Sequence, residues 1–281
     1  MKIKNFDWDQ VDLIIENALK EDIGDRDVTT DFLFPEDGRC NAIIQAKGKG
    51  IVAGLPIAER TFRRLSNNIK WVENKRDGES IAKGDILVKI RGSKKAILAG
   101  ERVALNFIQR LSGIATLTSL FVKAVEGLSV KIADTRKTVP GLRILDKYAV
   151  RIGGGHNHRM GLFDGVLIKD NHLKLMGSIG EAIKRIKKMP AVRFQIEVET
   201  STLEQVREAL AAGADTIMLD NMPLKAMRKS VEMISGRALI EASGGITLKN
   251  VRRVAETGID IISIGSLTHS PKALDMGLYL V

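Results

Sequence analysis

The sequence predicts an α/β protein in which a smaller mixed domain precedes a βα barrel, open or closed. Two observations carry this. Six apolar, strand-like runs (VKIAD, GVLIKD, FQIEVE, TIMLDN, ALIEAS and IDIISIG) are centred near Ile132, Leu167, Ile196, Met218, Ile240 and Ile262, the last four at an even 22-residue interval. Between the later runs lie the amphipathic helical patterns STLEQVREALAAG, PLKAMRKSVEMIS and TLKNVRRVAETG. Strand alternating with helix implies crossover connections, and crossovers imply parallel pairing.

Upstream of the barrel, Val11, Ile14, Ile15, Ala18 and Leu19 recur at helical spacing, which predicts a packing helix over Asp9–Lys20 with a break at Gly24. From Cys40 to Gly92 the pattern shortens to β-branched runs punctuated by glycine, including IVAGLP, and the Asp77-Gly78 and Gly84-Asp85 turns bracket Ser80–Lys83. That predicts a small supporting sheet. An apolar helical pattern returns over Ala96–Ala124, and Gly113 within it predicts a break between two helices at the domain hinge. The expected division is therefore an N-terminal α/β domain over 1–112, a catalytic barrel over 113–270, and a C-terminal segment over 271–281 packing on the N-terminal domain.

Composition narrows the function. A net charge of +10, from 44 Lys and Arg against 34 Asp and Glu, invites a nucleic-acid partner, but aromatic residues are 4% of the chain and the cations are dispersed. The basic cluster that stands out lies inside the glycine-rich centre, where a small polyanion explains it better than a groove-binding surface does. No run of uncharged apolar residues is long enough for a membrane span, and the N-terminal MKIKNFDWDQ has no apolar stretch behind its lysines. The single cysteine, Cys40, cannot form an internal disulfide. The expectation is a cytoplasmic protein without nucleic-acid or membrane partners.

Chemistry concentrates where the strand runs end. Asp134-Thr135-Arg136-Lys137, Lys169-Asp170, Glu197 and Glu199, Asp220-Asn221, Glu241 with Ser243-Gly244-Gly245, and Gly265-Ser266 all fall at or just past those ends. In a βα barrel the C-terminal ends of the strands form the active face, so these groups converge on one pocket. Arg136, Lys137, Arg151, His158, Arg159 and Lys169 supply donors for a polyanion, and Gly153, Gly154 and Gly155 allow close backbone approach. Glu199 and Asp220 suit ribose hydroxyls or a magnesium ion bridging phosphate oxygens. The segments ASGGIT, before a helix expected at Leu248, and IGSLTHS offer backbone amides as a phosphate cradle. Together these parts fit transfer of a phosphorylated sugar to an acidic ring. The histidines His156, His158 and His172 could suggest zinc, but the surrounding Arg and Lys disfavour a bare cation. A non-catalytic anion-binding protein would keep the pocket and discard the reaction.

The stretch ADTRKTVPGLRILDKYAVRIGGGHNHRMGLFDGVLIKDNH resembles the core signature of the quinolinate phosphoribosyltransferase family. KEDIGDRDVTT, ERVALNFIQRLSGIAT, EVET, IMLDNM, EASGGI and SIGSLTHS are similar to family segments in family order, so the resemblance spans essentially the whole chain. It implies a C-terminal open βα barrel with an N-terminal α/β sandwich-like domain. It also implies a magnesium-dependent pentosyltransferase of NAD biosynthesis that converts quinolinate and phosphoribosyl pyrophosphate into nicotinate mononucleotide, pyrophosphate and CO2. By resemblance, Arg136, His158, Arg159 and Lys169 hold the quinolinate carboxylates, with Thr135 beside them. Arg102 joins from the partner in a homodimer with shared sites, which could assemble further. Lys137 faces pyrophosphate, Glu199 and Asp220 the ribose hydroxyls or metal, and Ser243, Gly244, Gly245, Gly265 and Ser266 the 5-phosphate. A barrel protein encoded with molybdate transporters shares much of this pattern but departs around NHR and KDNH, which are intact here.

Overall fold

A computed structural model of the chain describes residues 6–189 and 194–281. The N-terminal MKIKN segment and residues 190–193 lie outside them. The chain clusters into two compact units, one of residues 1–119, 138–154 and 267–281, the other of residues 120–137 and 155–266.

The first unit begins with helix α1 (Trp8–Ile23), where Asp7 caps the N-terminus by accepting from the Gln10 N–H at 3.0 Å. Val11, Ile15 and Leu19 form its buried face, and Gly24, at φ 59°, ends it. After α2 (Val28–Leu33) come β1 (Arg39–Ala46), β2 (Gly50–Ile51), helix α3 (Leu55–Leu65), β3 (Lys70–Glu73), β4 (Ser80–Ile81), β5 (Ile86–Ser93) and α4 (Lys94–Ala124). α3 occupies a stretch whose opening residues, IVAGLP, read as strand. Gly54 at its start has φ 98° and no side chain to cap the helix, so Asp77 does it from a distance, accepting the Gly54 and Leu55 N–H groups at 2.7 and 3.0 Å. Tyr148 donates to the same carboxylate at 2.7 Å.

α4 is one unbroken helix of 31 residues, so the break expected at Gly113 does not occur. A Cβ at Gly113 would overlap the backbone carbonyl of Lys272, so this glycine serves close approach of two chain segments. Near the C-terminus β12 (Met276–Leu280) pairs antiparallel with β1, giving a four-stranded sheet in the order β12-β1-β5-β3. Ile44, Phe62, Leu87, Ile97 and Ile108 are fully buried in the core beneath it. Truncating Phe62 to alanine would cost about 3–5 kcal/mol, because the void cannot fully collapse.

The second unit is built on six parallel strands: β6 (Lys131–Ala133), β7 (Val166–Ile168), β8 (Ile196–Thr200), β9 (Thr216–Asp220), β10 (Leu239–Ser243) and β11 (Ile261–Ser263). Their order, β6-β11-β10-β9-β8-β7, leaves β6 and β7 as the two ends, so the barrel is open. Helix α5 (Arg143–Ile152) precedes β7 in sequence but clusters with the first unit. α6 (Asp170–Met176), α7 (Ile179–Lys187), α8 (Leu203–Ala212), α9 (Leu224–Ile234), α10 (Val251–Ala255) and α11 (Ser266–His269) alternate with the later strands. Ile217, Leu219, Ala242 and Ile262 are fully buried, as continuous apolar runs in a parallel sheet covered on both faces should be. At the strand beginnings one device occurs twice: Asp215 accepts the Ile196 N–H at 2.7 Å and Asp260 accepts the Ile240 N–H at 2.8 Å. Each carboxylate satisfies a backbone donor at the beginning of a neighbouring strand. This anchors the end of the barrel opposite the strand termini, leaving those termini for chemistry.

Candidate active site

The cationic side of the barrel mouth is organised by a residue that does not face it. Asp134, fully buried just past β6, accepts from Asn157 Nδ2 at 2.6 Å and from the His158 N–H at 2.9 Å, while its own N–H donates to the His156 carbonyl at 3.1 Å. His156 also pairs with Ala133. The GGGHNHR segment is thereby laid along β6, and it delivers His158 and Arg159 to the mouth that holds Arg136. Burial and the nearby Arg136 charge push the Arg159 pKa down from its ordinary value. Its guanidinium donates to the Gly165 carbonyl at 2.9 Å. Two expectations change here. Gly153 is glycine because a Cβ would overlap the Ala115 carbonyl, which makes it a packing residue; Arg151 lies on α5 in the other unit and does not line the cavity.

The acidic side comes from β8, β9 and β10. Glu199, near the end of β8, has its pKa raised by partial burial and then by the Asp220 charge at the end of β9. Asn221 follows in a left-handed conformation, φ 54°, and its amide donates to Asp220 Oδ2 at 3.0 Å. A Cβ at Gly244 would overlap the Asn221 side chain, so Gly244, at φ 89°, must be glycine for that amide to sit where it does. Asn221 is a site residue whose role the sequence reading left unassigned; its signal was an asparagine directly after a strand-end acid, a type that tolerates φ > 0.

Glu197 and Glu241 are not at strand ends as expected. They lie within β8 and β10 and are buried. His158 Nε2 lies 3.0 Å from Glu197 Oε2 and 3.5 Å from Glu241 Oε2, and His158 Nδ1 accepts the Arg159 backbone N–H at 2.8 Å. Burial, with the Glu197 charge behind it, pushes the Glu241 pKa up to about 7. Among the described residues these three form the one group of His, Cys and carboxylate side chains with metal-ligand proximity, their atoms lying within 4.8 Å of one another.

The two sides enclose a cavity of about 300 Å³ lined by Thr135, Arg136, Lys137, His158, Arg159, Lys169, Glu199, Asp220, Ser243 and Gly244 from the sequence-derived set. Leu167, Met218, Asn221, Glu241 and Ser263 complete the lining. Gly245, Gly265 and Ser266 are not among the lining residues, and Arg102 sits exposed on α4 in the other unit. The helix expected to start at Leu248 starts at Val251 and has five residues, and the one at Ser266 has four. Any phosphate held here relies on the glycine-loop amides more than on helix dipoles. A neighbouring cavity of about 370 Å³ shares Arg159 and Leu167 and is walled mainly by Leu162, Val166, Ile168, Met176 and Ile186; His172 and Arg185 also line it, but it has no carboxylate to face these cations.

Fold and site define a class: a barrel enzyme whose strand ends take a polyanion between cations and carboxylates. Family models agree on which one. The N-terminal domain of quinolinate phosphoribosyl transferase matches residues 27–112, and its C-terminal domain matches residues 114–279. A Bacillus subtilis protein named as a probable nicotinate-nucleotide pyrophosphorylase (carboxylating) is 47% identical over 96% of this chain and 93% of its own. The chloroplastic nicotinate-nucleotide pyrophosphorylase of Arabidopsis thaliana is 45% identical over 94% of this chain and 81% of its own. The crystal structure of nicotinate-nucleotide pyrophosphorylase from Ehrlichia chaffeensis superposes with a TM-score of 0.92 at 42% identity, covering 100% of both chains. The chain belongs to the quinolinate phosphoribosyl transferase family.

Proposed function

We propose that the chain transfers the phosphoribosyl group of phosphoribosyl pyrophosphate to the ring nitrogen of quinolinate with decarboxylation, yielding nicotinate mononucleotide, pyrophosphate and CO2. The observation that carries the reading is one cavity in which Arg136, Lys137, Arg159 and Lys169 face Glu199 and Asp220. Arg136, Arg159 and Lys169 bind the ring carboxylates, since guanidinium forks match planar carboxylates and Lys169 adds a mobile point charge. Thr135 stands beside them. Lys137, exposed at the rim, receives the pyrophosphate. Ser243, Gly244, Gly245, Gly265 and Ser266 offer the sugar phosphate a loop cradle.

Glu199 and Asp220 fit magnesium by donor chemistry: two carboxylates on one side of the cavity, close enough that one raises the pKa of the other, form a hard oxygen set that substrate oxygens would complete. A magnesium ion held there would supply charge neutralisation for the pyrophosphate leaving group. As the bond from the sugar carbon to pyrophosphate breaks, positive charge grows on the sugar, and the carboxylates of Glu199 and Asp220 stabilise it. The ring nitrogen then bonds to that carbon and becomes cationic. When the adjacent carboxylate leaves as CO2, its electron pair stays on the ring carbon beside the cationic nitrogen, and a proton from solvent takes the place of the lost carboxylate, so no nucleophilic side chain is needed.

We further propose a homodimer in which Arg102 of the partner subunit completes the acid-binding wall, consistent with the exposure of this residue on α4. The setting we propose is cytoplasmic, supported by a single cysteine that can form no internal disulfide. Among the described residues no helix is long and apolar enough to cross a membrane. Incubation with quinolinate, phosphoribosyl pyrophosphate and magnesium tests the reaction: pyrophosphate release that needs all three is expected, and none with all three present contradicts it.

A further inference from the structure

Two buried acids, Glu241 in the cavity lining and Glu197 beside His158, are left without a task by the transfer just described. Glu197 and Glu241 are buried within their strands, and Oε1 of each has no hydrogen-bond partner among the described residues. Their other oxygens face His158 Nε2 at 3.0 and 3.5 Å. On the far side of the ring, Nδ1 accepts the Arg159 N–H at 2.8 Å. An accepting Nδ1 carries no proton, and an imidazole keeps at least one, so the proton is on Nε2 and points at the two carboxylates. A metal ion among these three groups would have to displace that proton, whereas the 3.0 Å spacing already suits a hydrogen bond.

We propose that Glu197 and Glu241 are positioning residues for the transfer, locking His158 as its Nε2–H tautomer so that the ring holds Arg159 in place. The chain of support runs from the buried acids to Nε2–H, through the ring, from Nδ1 to the Arg159 backbone. From there it reaches a guanidinium already tethered to the Gly165 carbonyl at 2.9 Å. His158 then meets the acceptor with its ring surface, because both nitrogens are committed to the protein, and Arg159 makes the charged contact. Without the acids, Nε2–H loses the acceptors that favour it, and a ring flip or a tautomer change that sets Nδ1–H against the Arg159 N–H becomes easier. The proposal rests on the quinolinate reading of the cavity and gives His158 a different task from the carboxylate contact that the family resemblance implies.

Two measurements test it. Long-range ¹H–¹⁵N spectra of ¹⁵N-histidine-labelled protein, with the His158 signals identified by their loss in His158→Gln, report the tautomer without any turnover. A proton on Nε2 and none on Nδ1 is expected in the ligand-free wild type; a proton on Nδ1 overturns the proposal. Calorimetric titration supplies the functional arm. Glu197→Ala should weaken quinolinate binding about tenfold or more, since it strips a buried donor of its acceptor. Glu197→Gln, whose amide oxygen can still accept from Nε2, should recover most of that loss. Phosphoribosyl pyrophosphate binding should change less than about twofold in both variants, because its contacts are separate. A Glu197→Ala protein that binds quinolinate as tightly as wild type, or a Gln variant as impaired as the Ala variant, overturns the positioning role alone. Wild type that binds no quinolinate overturns the reading of the cavity and the proposal with it.

Discussion

The two sides of the cavity are built in different ways. The acidic side uses β8, β9 and β10 directly, each carboxylate sitting on or at the end of a strand with a short return through a helix. The cationic side uses a long excursion between β6 and β7, folded back along β6 by Asp134 and His156 so that His158 and Arg159 reach the mouth. Strand pairing places the acids directly, whereas His158 and Arg159 sit on a loop that backbone bonds and the Asp134 carboxylate hold against β6. The acids should therefore be rigid and electrostatically costly, and the cations adjustable and selective.

The largest effect should come from the acids at the rim. Glu199→Ala and Asp220→Ala should each lower kcat by on the order of 10²–10³-fold in a pyrophosphate-release assay while leaving the quinolinate KM near its wild-type value, because their task is to stabilise developing charge. A KM effect without a kcat effect would move them to the binding side.

Next is the cost of burying Glu241. Its pKa rises from an ordinary 4.5 to about 7, so its contribution to stability is fully present below 4.5 and lost as pH climbs through 7. The loss is on the order of 3 kcal/mol. Thermal melts across that window should show wild type losing stability relative to Glu241→Gln; a pH-independent difference between the two would mean the acid is not stressed.

The smallest expected effect tests selectivity on the cationic side. Arg136→Ala should raise the quinolinate KM by a factor corresponding to about 2 kcal/mol, with little change for phosphoribosyl pyrophosphate. Equal losses for both substrates would erase the distinction between the two sides.

The same contrast governs what could be read in advance. Six parallel strands were legible because strands buried on both faces appear as continuous apolar runs, and the ends of those runs carried Glu199, Asp220, Arg136 and Lys169. α3 was also within reach, since Leu55, Ala58 and Phe62 recur at helical spacing around Pro56, but the preceding IVAG suggested a strand. Gly113 could not be read: its reason is a carbonyl at Lys272, which is remote in sequence. The same holds for Gly153 against Ala115 and for the pairing of Asn221 with Gly244. His158 is the most telling case. A histidine beside an arginine in a basic segment suggests a ligand contact, and only the placement of Glu197 and Glu241 beneath it, from strands far along the chain, determines where its proton resides.

The unclosed barrel has a consequence for the behaviour of this protein in concentrated solution. An open sheet ends in two strands, each a template on which another chain could grow a ladder. Here both are three residues long, and the β6 side is occupied further by the backbone pairing of Ala133 with His156. So short a template gives an incoming strand little to register on, and the barrel keeps its mouth accessible without offering a long strand edge of its own.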